Sequence, residues 1–140
     1  AAWVKEAVEQ GATVLTGGTR SGAWLAPTIL TNVRPDMKLV CQEAFAPLFS
    51  ISPYDTIQEA IALVNDSAYG LQAGVFTGSL DVARECALKI ETGGVIINDG
   101  ATFRTDNMPY GGVKESGMGK EGPQYAVREM TEEKLIVFKF

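Results

Sequence analysis

Histidine is absent from this 140-residue sequence. Without an imidazole the chain cannot build a Ser-His or Cys-His nucleophile pair, nor an imidazole metal site of its own. No metal is therefore expected, and any chemistry must use carboxylates, thiols, lysines, tyrosines or a bound cofactor. Cysteine is scarce too. Cys41 and Cys86 are too few for a disulfide framework and too far apart for a zinc knuckle, so free thiols in a reducing compartment are expected. Positive charge is in deficit, with 12 Lys and Arg against 17 Asp and Glu and a net charge of -5. With no basic run to track phosphates, nucleic acid is not an expected partner. Apolar runs fall short of the roughly 20 residues that span a bilayer. The opening Ala1-Ala2-Trp3-Val4-Lys5-Glu6 lacks the charged-then-apolar order of a signal peptide, so a cytoplasmic chain with no membrane partner is expected.

What is present is the mix of a globular protein, 46% apolar and 21% charged, in a length that fits one ordinary domain. Ala1 to Gln10 has helical spacing, with Trp3, Ala7 and Val8 apolar and Gly11 placed as a left-handed cap. Thr13 to Thr16 reads as a strand, and Trp24 to Leu30 reads as extended around Pro27. Asp55 and Gln58 have the spacing of a capping box at the start of a helix whose stripe is Ile57, Ala60, Ile61 and Val64. Gln72 to Thr77 is a predicted strand. Ser79 caps a predicted helix with Leu80, Ala83, Ala87 and Ile90 on one face, stopped by Gly93-Gly94, and Val95 to Ile97 reads as a fully buried strand. Alternation of helix and strand predicts an α/β fold, a parallel-type sheet with flanking helices. Pro123 suits the first turn of a last helix, and Lys134 to Phe140 reads as a terminal strand with Ile136, Phe138 and Phe140 on one side. So apolar an edge must be covered or paired.

Two places carry possible chemistry. In Gln42-Glu43-Ala44-Phe45-Ala46-Pro47 a carboxylate and a ring stand two residues apart, on one side of an extended segment, where they could face a single ligand. The ordinary alternative is a solvent-facing Glu beside a core Phe. The other place is Asn98 to Gly119, which follows Val95 to Ile97, is rich in glycine and carries Phe103, Arg104 and Tyr110. In a parallel sheet the ligand crevice lies beyond the carboxyl ends of the strands, and loops this long are usually functional.

Taken in order, Gln10-Gly11-Ala12, Gly17-Gly18, Pro27-Thr28, Gln42 to Pro47, Asn65 to Leu71, Asn98 and Pro109-Tyr110-Gly111-Gly112-Val113-Lys114-Glu115-Ser116-Gly117 make the chain resemble the aldehyde dehydrogenase superfamily, in the C-terminal part of its catalytic domain. The resemblance implies NAD or NADP as cofactor, with Glu43 on the hydroxyls of the nicotinamide ribose, Phe45 near the nicotinamide ring and Leu71 touching the same end. It implies that Tyr110 lines the aldehyde tunnel and that the loop Asp99 to Met108, with Phe103, shapes the aldehyde's way in, anchored by Asn98. Ala44 and Ala46 depart from the bulkier residue and the glycine usual in that motif, and Tyr110 stands for the commoner Phe.

The implied mechanism uses a cysteine thiolate on the aldehyde carbon, hydride transfer to the cofactor and a glutamate that activates water. The nucleophile, the base and the pyrophosphate cradle are expected upstream of this chain. Cys41 has no activating neighbour and Cys86 reads as a small core residue, so no catalytic residue is expected here. The missing initiator Met and the mid-helix start are read as truncation. Residues 1–131 would then be part of a catalytic domain and 132–140 an oligomerisation strand, in a homodimer or homotetramer. The expected function is oxidation of an aldehyde to a carboxylic acid by the full-length protein. The alternative is a non-catalytic, self-associating α/β module.

Overall fold

Helix α1, Ala2–Glu9, turns Val4 and Ala7 inward, one turn apart on the same face. Of the predicted apolar residues Ala7 is buried and Trp3 packs half-buried against the core, but Val8 stays 45% exposed and Val4 is buried in its stead. The helix closes as expected at Gly11, whose φ of +106° lets its amide reach Val8 O at 3.0 Å and the Ala12 amide reach Ala7 O at 2.9 Å. That pair of bonds is a Schellman cap. The computed structural model describes every residue, Ala1–Phe140, and the chain divides into two units, Ala1–Asp55 and Thr56–Phe140.

In the first unit β1, Thr13–Thr16, leads through the short hairpin strands β2, Arg20–Ser21, and β3, Trp24–Leu25, to β4, Thr28–Thr31. β1 and β4 pair antiparallel, because a polar turn and a hairpin connect them and no crossover helix carries the chain over the sheet. Helix α2, Lys38–Cys41, then precedes β5, Leu48–Ile51, which pairs parallel with β4. Leu30 and Met37 anchor the core with Val4, Ala7, Ala12 and Leu39. Arg34 grips Asp36 through two bonds of 3.0 Å and donates to Gln10 O at 2.7 Å, which ties the loop before α2 to the end of α1. The guanidinium holds the Asp36 carboxyl below its ordinary pKa.

In the second unit α3, Ile57–Asn65, begins one residue later than the predicted box. Thr56, with extended backbone, is the cap, and its hydroxyl accepts from the Glu59 amide at 3.2 Å. Strand β6, Tyr69–Gly70, precedes β7, Gln72–Val75, α4, Leu80–Lys89, and β8, Gly94–Ile97; β7 and β8 pair parallel, the arrangement the alternation predicted. The Ser79 cap is present. The face of α4 is displaced from the expected stripe. Cys86 is its buried residue, while Leu80 is 83% exposed. Gly93-Gly94 do not end this helix, which stops at Lys89. Gly93 instead lets the Gly111 backbone approach so closely that a Cβ would collide with its carbonyl. β8 is half-buried rather than fully buried. β9, Val113–Lys114, pairs antiparallel with β6, and α5, Pro123–Glu129, starts on its proline as predicted.

The fold is α/β with mixed pairing rather than one parallel sheet. Residues 131–140 form no strand within the chain and lie exposed, because a strand requires a partner ladder and no segment here supplies one. The extended character is nonetheless visible, since Phe138 and Phe140 stack on one side with centroids 6.2 Å apart. No helix is long and apolar enough to cross a membrane.

Candidate functional site

The Gln42 to Pro47 segment is a loop held at both ends. On one side it leaves α2, whose Lys38 amine is engaged by Glu6 at 3.0 Å. On the other, Pro47 O accepts from the Thr28 amide at 2.9 Å at the head of β4. Between them the Ala46 amide bonds Ala44 O at 2.8 Å and the Leu48 amide bonds Ala46 O at 2.7 Å, two successive three-residue turns. Ala46 is not among the residues of positive φ, so this backbone is one an alanine adopts without strain, and no glycine is required at that position.

Glu43 is exposed, and no hydrogen bond or ion pair within the chain engages its carboxylate. Phe45 is 91% exposed, which overturns the ordinary alternative of a core ring. Both side chains, with Trp3, Leu25 and Leu48, line a largely apolar recess of about 410 Å³. An unengaged carboxylate beside a bare ring suits a ligand that carries hydroxyls next to a flat heterocycle.

In the second unit Leu71 and Tyr110 line a recess of about 280 Å³ floored by the glycine-rich loop Gly111 to Gly119. Asn98 closes β8 in the left-handed region, φ +61°. Its side-chain oxygen accepts from the Thr77 amide at 2.8 Å and its own amide bonds Val75 O at 2.7 Å, so the loop from Asp99 starts from a fixed point. Phe103 is not part of the Leu71–Tyr110 recess. It is 43% exposed, and its carbonyl accepts from Gln72 Nε2 at 2.6 Å.

Several residues with no role assigned from the sequence hold this region. Lys120 Nζ donates to Gly111 O at 2.6 Å and Gly112 O at 3.3 Å, and the Ser116 hydroxyl accepts from the Gly70 amide at 2.9 Å. Lys114 Nζ donates to Asn65 O at 2.8 Å and pairs with Glu91 at 3.2 Å. Arg104 lies over the Tyr110 ring. These are contacts across 6 to 49 residues of sequence, which no local pattern announces.

The cysteines behave as expected. Cys41 is exposed, and its sulfur meets only the Asp36 carbonyl, at 3.8 Å. Cys86 is 1% exposed, and burial first, then the neighbouring Glu85 charge, pushes its thiol pKa up, the reverse of what a nucleophile needs.

The sequence profile of the aldehyde dehydrogenase family matches residues 1–136. The chain belongs to this family. It is 60% identical over 135 residues to the 3-sulfolactaldehyde dehydrogenase of Priestia aryabhattai, covering 96% of this chain and 28% of that protein. Among solved structures, aldehyde dehydrogenase 21 of Physcomitrella patens, in complex with its reaction product succinate, superposes with a TM-score of 0.96 at 41% identity, over 99% of this chain and 29% of the other. The glyceraldehyde-3-phosphate dehydrogenase GapN of Methanocaldococcus jannaschii, complexed with NADP, superposes with a TM-score of 0.86 at 43% identity, over 92% of this chain and 28% of the other. The chain therefore spans under a third of the length of each of these aldehyde dehydrogenases.

Proposed function

We propose that these residues are the C-terminal part of an NAD(P)-dependent aldehyde dehydrogenase that oxidises an aldehyde to a carboxylic acid. The observation that carries this is the family match over residues 1–136, achieved by a chain that spans 28% of the length of a relative 60% identical to it. Exposed apolar side chains agree with a part of something larger. Phe49 on β5, Phe76 after β7 and Leu80 on α4 are between 67% and 83% exposed, more bare apolar surface than a free-standing domain usually tolerates.

In this reading Glu43 accepts from the hydroxyls of the nicotinamide ribose, Phe45 offers its ring to the nicotinamide, and Leu71 packs at the same end. The cofactor, NAD or NADP, accepts the hydride. Tyr110 and Phe103 meet the aldehyde. The nucleophilic cysteine and the water-activating glutamate belong to the rest of the enzyme, because Cys86 is buried and Cys41 has no activating partner. Residues 132–140 add to a sheet of a second subunit in a homodimer or homotetramer. Their support is the run Leu135 to Phe138, 64% to 88% exposed with no ladder in its own chain.

Curated relatives are named for 3-sulfolactaldehyde, sulfoacetaldehyde and aspartate semialdehyde, which carry a negative group, and for lactaldehyde, which carries none. The test is Glu43→Gln in the full-length protein. Replacing a charged acceptor by a neutral one of the same shape costs about 1–1.5 kcal/mol, so the cofactor KM should rise roughly tenfold with a smaller change in aldehyde KM. An unchanged cofactor KM would remove Glu43 from the site. Steady aldehyde-dependent NADH formation by the 140 residues alone would show that the catalytic groups are placed wrongly.

A further inference from the structure

Gln72 opens β7 opposite Gly94 of β8. Its side chain lies over that glycine, with Cγ and Oε1 each 3.4 Å from where a Cβ would stand, and its Nε2 donates to Phe103 O at 2.6 Å. Two residues on, and so on the same face of the strand, Gly74 meets the start of the same loop. A Cβ there would come within 2.7 Å of Asp99 O and 2.9 Å of Ala101 N. One face of β7 therefore carries residues 99–103 at two points, by close backbone contact at Gly74 and by a hydrogen bond at Gln72.

The strands do not depend on that bond. β7 and β8 pair along all four residues through their backbones, and Gln72 is only half-buried, so water can take over a donor or acceptor that loses its partner. What the bond fixes is the loop. The next residue, Arg104, carries its guanidinium carbon to 4.3 Å from the centroid of the Tyr110 ring. Tyr110 lines the recess together with Leu71, the residue directly before Gln72. The place at which Phe103 is held thus sets where the chain departs toward the recess.

We propose that Gln72 is a positioning residue for the aldehyde. By holding Phe103 O it fixes the loop from Asp99 to Met108 for contact with the part of an aldehyde that extends beyond the Tyr110 recess. This rests on the aldehyde dehydrogenase reading and adds a residue that selects by substrate length. A bond that served the fold alone would be felt equally by short and long aldehydes and by the cofactor, which gives the experiment its contrast.

The measurement is made on the full-length enzyme with acetaldehyde, too short to reach the loop, and with hexanal. Gln72→Ala should raise the KM of hexanal roughly 3- to 10-fold, with little change in the KM of acetaldehyde, the KM of the cofactor or the melting temperature. In hydrogen exchange the amides of residues 99–108 should open about tenfold more readily in the variant, while those of β7 and β8 keep their protection. Gly74→Ala, which pushes Asp99 and Ala101 away and leaves the Gln72 side chain in place, should shift loop exchange and hexanal KM in the same direction. A Gln72→Ala enzyme whose two aldehyde KM values rise in proportion, or whose loop amides stay protected as in wild type, overturns the proposal and leaves the enzyme reading standing. A wild type that forms no NADH or NADPH with either aldehyde overturns both.

Discussion

Thr28 is the residue through which the fold and the proposed cofactor site are most directly joined. It is fully buried at the head of β4. Its hydroxyl donates to Ala26 O at 2.7 Å and accepts from the Gly18 amide at 2.9 Å, while its own amide donates to Pro47 O at 2.9 Å. Thr28→Val keeps the shape and deletes the oxygen. Two backbone groups then lose their partner, at about 1–3 kcal/mol each when buried. Gly18 is partly open to water, which places the sum at about 2–4 kcal/mol. Thr28→Ser keeps both bonds and deletes one methyl, for about 1 kcal/mol. Hydrophobicity alone would reverse that order, so the comparison isolates the hydrogen bonds. Native-state hydrogen exchange reads local opening directly. At about 1.4 kcal/mol per decade, amides of β4 and β5 should exchange roughly 30- to 1,000-fold faster in Thr28→Val and under tenfold faster in Thr28→Ser. A valine variant protected like wild type, or a serine variant more exposed than the valine one, would refute the reasoning.

Asn98 invites a similar pair: Asn98→Gly keeps the left-handed backbone but loses the bond to the Thr77 amide, and Asn98→Ala loses both, so alanine should lower the melting temperature further, by an extra penalty of about 1 kcal/mol. Glu85 on α4 bonds Lys89 at 2.7 Å and Gln58 of α3 at 3.1 Å, and these, Lys89 first, hold its pKa below the ordinary value. Its stabilising effect is therefore complete above the ordinary carboxylate range and lost as pH falls through the lowered pKa. Glu85→Gln should flatten that acid limb of the unfolding curve, as circular dichroism would show. For the terminal segment, Ile136→Asp with Phe138→Asp should shift the full-length protein to a smaller species in light scattering, and an unchanged mass would argue against residues 132–140 as the assembly strand.

Much of the fold was legible because it rests on local signals. The Schellman cap at Gly11, the Ser79 cap and Pro123 at the first turn of α5 each depend on a few adjacent residues. Burial faces were less legible. On α4 the sequence offers both Ala87 and Cys86 as small apolar residues, and only the packing of this helix against β8 and α3 makes Cys86 the inward one. The antiparallel pairing of β1 with β4 depends on a hairpin inside the connection, where the sequence shows only a polar, glycine-rich stretch. Glu43, Phe45, Leu71, Tyr110 and Phe103, the residues of the proposed site, were reachable from motif order. Lys120, Ser116 and Thr28 were not, since their partners lie far along the chain or on the backbone, where no pattern of side-chain types marks them.

Phe45 shows how the local and the distant meet. A benzene ring 91% exposed contributes nothing to the packing of its own unit and forgoes the roughly 2 kcal/mol that burying a Phe yields. A mobile loop could still fold it away, but here the backbone around it is closed by two tight turns and fixed to Thr28 through Pro47, so the ring stays out. A rigid, exposed aromatic recovers that energy when a ligand ring covers it, with little further loss of conformational freedom. The same stiffness keeps the Glu43 carboxylate beside it at the mouth of the Trp3, Leu25 and Leu48 recess. Loosening the anchor should therefore weaken binding at the proposed cofactor site, whose recess Thr28 does not line. Thr28→Val in the full enzyme is expected to raise the cofactor KM in step with the faster exchange of β4 and β5 amides, and a variant that opens more easily while keeping its cofactor KM would separate the two.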